Sequence, residues 1–150
     1  MNLPEYKDIK LRKTQGGKFE VLDVLRRRFV TLTPEEWVRQ HFVNYLITEK
    51  HYPIALMANE VELRVGEKRL RCDGILYNRE GKPRVIIEYK AESVALTEKV
   101  LTQITTYNML LHVDYLMVSN GNTHVCMHHD QKIGRWVFLP DIPDYEELDD

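Results

Sequence analysis

The sequence predicts a mixed α/β fold (α+β), in which helices flank a mixed β-sheet in the order αβββαβ. Three observations support this prediction. A helix-start signal at Thr33-Pro34 opens a segment with apolar residues at helical spacing. Three strand-like segments between residues 59 and 90 are separated by glycine-containing turns, which is typical of an antiparallel meander. A second helical pattern over residues 96–111 precedes an apolar run at residues 115–119. Because a helix would join two strands of one sheet, this last pair should be parallel.

Composition limits the class of protein. The chain has 150 residues and a formal net charge of -2, and it is long enough to bury a sizeable core in one domain. Cys72 and Cys126 are too few for a disulfide framework. The N-terminus lacks the apolar segment of a signal peptide, and no apolar run is long enough to span a bilayer. We therefore expect a soluble, cytoplasmic protein with no membrane partner.

We divide the chain into a β-hairpin extension (residues 1–32), a main domain (residues 33–140) and an acidic tail (residues 141–150). The extension turns at Gln15-Gly16-Gly17 and holds eight Lys/Arg against four Asp/Glu. Its basic residues could contact phosphates or could form a solvated face, and the sequence leaves both readings open. The tail holds six Asp/Glu and no base, and we expect it to fray.

Two adjacent acids begin the first helix. Thr33 is the expected N-cap, Pro34 the first helical residue, and Glu36 completes a capping box. Glu35 lies in line with the apolar stripe formed by Val38, Phe42, Tyr45 and Leu46. We therefore expect Glu35 to point towards the sheet, at the outer edge of the site described next. The alternative is that Glu35 only complements the helix dipole.

Two strand-like segments on either side of residues 78–83 predict a β-hairpin that carries a site. If Tyr77 pairs with Arg84, Asp73 falls directly opposite Glu88. Directly opposed residues of an antiparallel pair share a face, with Cβ atoms about 5 Å apart. The register therefore brings two carboxylates together.

Lys90 lies two residues beyond Glu88 and should point to the same face. Two buried like charges are unfavourable unless a cation lies between them, which predicts Mg²⁺ or Mn²⁺ held by Asp73, Glu88 and the backbone carbonyl of Tyr89. Lys90 could orient or help deprotonate a water and offset the charge of a phosphodiester. A surface aspartate beside an ion pair without function would give the same pattern.

The second helical pattern adds a polar pair. Its apolar stripe consists of Leu96, Val100, Ile104, Tyr107 and Leu111. Gln103 lies at the edge of this stripe, four residues before Tyr107, so the two side chains are neighbours. They could hold a phosphate or Lys90, or the glutamine could simply satisfy the hydroxyl of a core tyrosine.

In their order along the chain these motifs resemble the PD-(D/E)XK nuclease superfamily. More closely, they resemble the N-terminal nuclease domain of type I restriction enzyme R subunits. The residues that carry the resemblance are Thr33-Pro34-Glu35-Glu36-Trp37-Val38-Arg39-Gln40, Asp73, Glu88-Tyr89-Lys90, Gln103-Ile104-Thr105-Thr106-Tyr107-Asn108 and Asn120-Gly121.

The resemblance implies a restriction-endonuclease-like fold and a Mg²⁺-dependent phosphodiesterase. It implies that Asp73 and Glu88 hold the metal and that Lys90 assists the attacking water. Gln103 and Tyr107 would support DNA binding or positioning. The chain departs from these R subunits in having no nucleotide-binding glycine loop and no motor.

Two hypotheses of function follow. The first is a metal-dependent DNA endonuclease of restriction-modification or repair type, and the second is a catalytically silent nuclease-like module that binds DNA or a protein. For the nuclease we expect DNA as a partner, with a separate motor or specificity protein to deliver it, whereas the silent module would bind either DNA or a protein. If both strands are cut, two sites are needed, which a homodimer or two independent nicks would supply.

Overall fold

Two β-sheets and two principal helices make up the part of the chain that the computed structural model describes, residues 1–148. The N-terminal sheet has the order β1 (Leu11–Lys13), β2 (Phe19–Asp23), β3 (Arg28–Thr31). The central sheet has the order β4 (Met57–Val65), β5 (Lys68–Tyr77), β6 (Pro83–Tyr89), β7 (Tyr115–Ser119), β8 (His124–Asp130), β9 (Arg135–Phe138). The helices are α1 (Pro34–Thr48) and α2 (Glu98–Asn108). The predicted order αβββαβ is confirmed.

The central sheet is mixed because of one connection. Neighbouring strands are antiparallel except β6 and β7, which pair in parallel from Val85 opposite Tyr115 to Tyr89 opposite Ser119. α2 is the crossover between these two strands, as predicted from its place in the sequence.

α1 covers one face of the central sheet. The hydroxyl of Thr33 accepts a hydrogen bond from the backbone N–H of Glu36 at 3.0 Å, so the predicted N-cap is confirmed. Val38 and Phe42 are fully buried on this helix. They belong to a core cluster that also contains Leu76, Ile87 and Met117 from the sheet.

α2 covers the other face and is shorter than the predicted 96–111. It begins after its N-cap Thr97 and ends at Asn108, where a 3₁₀ turn (Met109–Leu111) takes over. Ile104 packs there in a second core cluster with residues of β5, β6 and β7. Within residues 1–148, no helix is both long and apolar enough to cross a membrane.

The N-terminal extension contains the predicted hairpin, β1 paired with β2, and a third strand, β3, that the sequence did not predict. The chain turns sharply after Asp23 with Arg27 in the left-handed region (φ 56°), and β3 then pairs back onto β2. Val21 and Asp23 on one face of β2 are fully buried, so this face packs against the main domain.

The acidic end was expected to fray, and for residues 141–148 this expectation is wrong. Ile142 and Leu148 are buried in the core cluster that contains Tyr52. The backbone carbonyl of Leu148 accepts a hydrogen bond from Arg84 at 2.9 Å. Two apolar residues between the acids therefore anchor this segment, and residues 149–150 lie outside the described part.

Candidate active site

The register of β5 and β6 brings the two predicted carboxylates together. Gly74 pairs with Ile87 and the next two residues of β5 continue the same register, which places Asp73 opposite Glu88. The expected pairing of Tyr77 with Arg84 is wrong. An irregularity after Leu76 pairs Tyr77 with Pro83 instead. This irregularity lies at the turn end of the hairpin, away from the carboxylates.

The two carboxyl groups differ in their surroundings. Asp73 Oδ2 accepts a hydrogen bond from the backbone N–H of Tyr89 at 2.9 Å. Glu88 Oε1 is buried and has no hydrogen-bond partner within residues 1–148. Burial, followed by the charge of Asp73, raises the pKa of Glu88 to about 9. Where two carboxyl groups share a buried site, the pKa of one of them is raised in this way.

Lys90 follows β6 directly. Its backbone N–H donates to the carbonyl of Ser119 at 2.9 Å, which ties this residue to the end of β7. Its positive charge acts to lower the pKa of Glu88, after burial and the charge of Asp73 have raised it. Within residues 1–148 no ion pair joins the Lys90 ammonium to Asp73 or Glu88, so the structure brings the two carboxyl groups together and places Lys90 at the end of the same strand.

Tyr89 has its side chain on the opposite face. The ring is buried beneath Gly74, where an added Cβ would lie 3.3 Å from Tyr89 Cε2. Only the backbone of Tyr89 can therefore serve the carboxylate site. Gly74 allows this close approach because it has no side chain.

A buried guanidinium supports the strand that carries Asp73. Arg39 of α1 donates to the backbone carbonyl of Asp73 at 2.8 Å and to Glu60 at 2.9 Å. Its other nitrogens donate to both carboxylate oxygens of Glu36 at 2.7 and 2.8 Å. Although burial acts to raise the pKa of Glu36, hydrogen bonds from Arg39 and Gln40 hold it below its usual value.

Glu60 continues the row of acids across the sheet. Asn59 pairs with Gly74 and Val61 with Cys72, so Glu60 lies across from Asp73. Its two carboxylate oxygens accept from Arg39 and Arg71. Within residues 1–148, no group of three His, Cys, Asp or Glu side chains is placed to hold a metal, which leaves Asp73 and Glu88 as a pair.

The comparisons with known proteins agree with this geometry. Residues 34–143 match the family described as Type I restriction enzyme R protein N terminus (HSDR_N). The chain belongs to this family. A comparison with curated proteins finds no match.

A solved structure supports the fold of this family. It is a fragment described as an HsdR subunit of a type I restriction enzyme from Vibrio vulnificus YJ016, with a TM-score of 0.53 and 18% sequence identity. The similarity covers 78% of this chain and 24% of that one, so the chain spans about a quarter of the length of the structure it matches. At this identity the likeness shows the fold alone.

The family match includes Glu35, but this residue does not face the site. Glu35 is exposed at the start of α1, whereas its neighbour Glu36 is 4% exposed and lies among Arg26, Arg39 and Gln40. The expectation that Glu35 points towards the sheet is wrong. Neighbouring helical residues project about 100° apart, and the apolar stripe did not fix which of the two acids faces inward.

The family match also includes the Gln103–Tyr107 pair, which lies on the exposed side of α2. Gln103 is exposed, and Tyr107 is 45% exposed rather than buried in the core. The Tyr107 hydroxyl accepts a hydrogen bond from the backbone N–H of Arg71 at 3.0 Å, two residues before Asp73. Tyr107 therefore contacts the strand that carries Asp73, and both side chains are open to solvent.

Sequence reasoning missed two buried polar residues of the family domain that touch the site. Asn108 is 1% exposed, donates to the carbonyl of Ile104 at 2.9 Å and lies beside Glu88, whose pKa it acts to lower. Arg39 is the other. Helical spacing could have linked Arg39 to Glu36 three residues earlier, but no local signal joins either residue to the sheet.

Proposed function

We propose that this chain is a metal-dependent endonuclease module that hydrolyses phosphodiester bonds in DNA, with Mg²⁺ or Mn²⁺ as its cofactor. We place it with restriction-modification or repair enzymes. One observation carries the proposal: Asp73 lies opposite Glu88, and Glu88 presents a buried carboxylate oxygen without a partner.

The donor set fits a hard divalent ion. Asp73 and Glu88 offer carboxylate oxygens, and the backbone carbonyl of Tyr89 is the proposed third ligand. Glu88 Oε1 is buried without a hydrogen-bond partner within residues 1–148, so this oxygen is left over for such an ion. A bound divalent ion would supply the electrostatic stabilisation that a phosphodiester needs while it is hydrolysed.

The residues of this chain would position the reactants. The Tyr89 N–H fixes one oxygen of Asp73, and Asn108 lies against Glu88 from α2. Lys90 would orient the attacking water and offset negative charge on the phosphate. Gln103 and Tyr107 are exposed, which fits contact with DNA from solvent better than a role in the core.

Delivery of DNA requires partners in this proposal. The solved HsdR fragment is about four times the length that this chain covers. We propose that a motor or specificity protein brings DNA to the module, and that two copies act together where both strands are cut. The module itself supplies the hydrolytic site.

The test compares Asp73→Asn, Glu88→Gln and Lys90→Met with controls in the neighbouring turn, Glu80→Gln and Lys82→Met, both of whose side chains are exposed. Metal binding is followed as the rise in thermal midpoint with Mn²⁺ or Mg²⁺. Nicking of supercoiled plasmid is followed in parallel. We expect Asp73→Asn and Glu88→Gln to lose both signals, Lys90→Met to lose nicking alone, and the controls to keep both.

A catalytically silent nuclease-like module is the second candidate. The observation that favours it is that, among residues 1–148, the site gathers only a pair of acidic side chains. Metal-dependent stabilisation without nicking under any metal would select this candidate. Nicking that persists in Asp73→Asn and Lys90→Met would overturn the proposed site.

A further inference from the structure

The N-terminal sheet has a charge unlike the rest of the chain. Residues 9–31 hold seven Lys/Arg and two Asp/Glu, a balance of +5, whereas the remaining residues hold 14 and 21, a balance of -7. The family match begins only at residue 34, so this sheet lies outside the matched domain. Its charge is therefore not accounted for by the proposed catalytic site.

Both acids of this segment are already paired. Glu20 accepts from Arg12 at 2.7 Å across the sheet. Asp23 is fully buried and accepts from Arg26 and from the amide of Asn59. The other five cations are exposed and have no ion-pair partner within residues 1–148: Lys10, Lys13, Lys18, Arg27 and Arg28.

The N-terminal sheet is the platform that carries these cations. Lys10 precedes β1, Lys13 ends it, Lys18 precedes β2 and Arg28 begins β3. The register places Lys13 opposite Phe19 and Arg28 opposite Asp23, so these two cations share one face of the sheet, and both are exposed. Phe19 beside them is 54% exposed, and Lys13 lies over its ring at 5.8 Å. Unpaired cations next to an exposed aromatic ring, in a chain of negative net charge, complement a polyanion.

The platform is connected to the strand that carries Asp73. Arg26 joins Asp23 at the end of β2 to Glu36 at 2.7 Å, and Arg39 joins Glu36 to the backbone carbonyl of Asp73. A ligand held on the platform would thus have a fixed orientation relative to the metal site. These contacts are buried or half-buried and withstand salt better than surface pairs.

We propose that the N-terminal sheet binds the phosphate backbone of DNA through Lys10, Lys13, Lys18, Arg27 and Arg28. The inference rests on the proposed function in taking DNA as the substrate. It assigns to the sheet most of the electrostatic affinity for DNA, because the remaining residues have a balance of -7. Phosphate contacts carry no sequence information, so this binding is independent of sequence.

The test replaces four cations of the sheet together, as Lys10→Gln, Lys13→Gln, Lys18→Gln and Arg28→Gln. The matched control removes four exposed cations elsewhere, as Lys68→Gln, Arg79→Gln, Lys82→Gln and Lys132→Gln. Binding to a fluorescent DNA duplex is measured by anisotropy over a range of salt in EDTA, so that neither metal nor cleavage contributes.

We expect the sheet variant to lose at least about tenfold in affinity and its salt slope to fall by about 3 to 4, close to one per phosphate contact. The control variant should change the affinity and the salt slope by much less. Unchanged thermal midpoints would show that both proteins are folded. Equal losses in the two variants, no loss in the sheet variant, or no binding by the parent protein would each overturn the inference.

The outcomes separate this inference from the proposed function. Binding through the sheet without any metal-dependent cleavage would support the inference and count against the nuclease proposal. Plasmid nicking that depends on Asp73, together with DNA binding that does not change when the sheet cations are replaced, would support the nuclease proposal and contradict this inference.

Discussion

Tyr89 serves the candidate site with its backbone and the core with its ring. Its N–H holds Asp73, while its ring lies on the other face of the sheet, 4% exposed. Its hydroxyl is buried and has no hydrogen-bond partner within residues 1–148. A buried polar group without a partner costs about 1–3 kcal/mol. The ring therefore contributes packing, and its hydroxyl opposes folding.

Tyr89→Phe should raise the free energy of unfolding by about 1 kcal/mol, because it removes that hydroxyl and keeps the ring. Tyr52→Phe is the matched control, since the Tyr52 hydroxyl donates to the carbonyl of Pro143 at 3.0 Å. The control should lose about 1 kcal/mol in the same urea titration. Equal losses in both variants would contradict the assignment of Tyr89.

The ring of Tyr89 also packs closely against Gly74. An added Cβ would lie 3.3 Å from Tyr89 Cε2 and 3.4 Å from Ile87 Cβ, so neighbouring groups would have to move. Gly74→Ala should therefore lower the free energy of unfolding by about 1–3 kcal/mol. Gly16→Ala should change it little, because an added Cβ would lie 3.9 Å from Thr14 Oγ1, an ordinary van der Waals contact. Similar urea midpoints for the two variants would refute this packing account.

Among the secondary-structure elements, α1 is connected to β4 and β5 by Arg39. Its guanidinium bonds to Glu36, Glu60 and the carbonyl of Asp73, and the residue is 7% exposed. Arg39→Met should lower the free energy of unfolding by about 3–5 kcal/mol, because buried carboxylates lose their partner. Arg12→Met, which breaks an exposed pair with Glu20, should cost at most about 1 kcal/mol. Comparable urea midpoints for Arg39→Met and Arg12→Met would show that Arg39 does not stabilise the contact of α1 with β4 and β5.

The elements themselves were predictable where the signal was local. Asp73 was placed opposite Glu88 correctly although the pairing assumed at the turn, Tyr77 with Arg84, was wrong. The register shift is confined to the turn end, and the pairs from Gly74 to Leu76 keep the predicted register. The orientation of α1 was not predictable, because Glu36 is drawn inward by Arg26 and Arg39 rather than by an apolar stripe. Asn108 was missed for a similar reason, since its neighbour Glu88 is on another element.

At the scale of the whole molecule, buried ionic groups join the N-terminal sheet, α1 and the central sheet. The chain of contacts runs from Asp23 through Arg26, Glu36 and Arg39 to Glu60. Such contacts join residues far apart in sequence, and no periodic pattern of the sequence predicts them. They make the attachment of the N-terminal sheet depend on the charge of three carboxylates.

Acid should therefore destabilise the fold through these carboxylates. Burial acts to raise the pKa of Asp23, Glu36 and Glu60, but hydrogen bonds from arginines, with help from Gln40 and Asn59, outweigh it and each pKa lies below its usual value. The unfolded chain then binds more protons than the folded protein once the pH falls below about 5. The stabilisation is complete above the unfolded pKa values and is lost as the pH falls through the folded ones.

The free energy of unfolding, measured with urea from about pH 5 to pH 3, should fall steadily. Glu88 acts in the opposite sense, because its pKa is raised in the folded protein and it therefore destabilises the fold as the pH rises above the unfolded value. Arg39→Met should show a shallower fall, since it removes the guanidinium that lowers the pKa of Glu36 and Glu60. Arg12→Met should keep the slope of the parent protein. An equally steep fall in Arg39→Met would mean that the acid sensitivity arises outside this network.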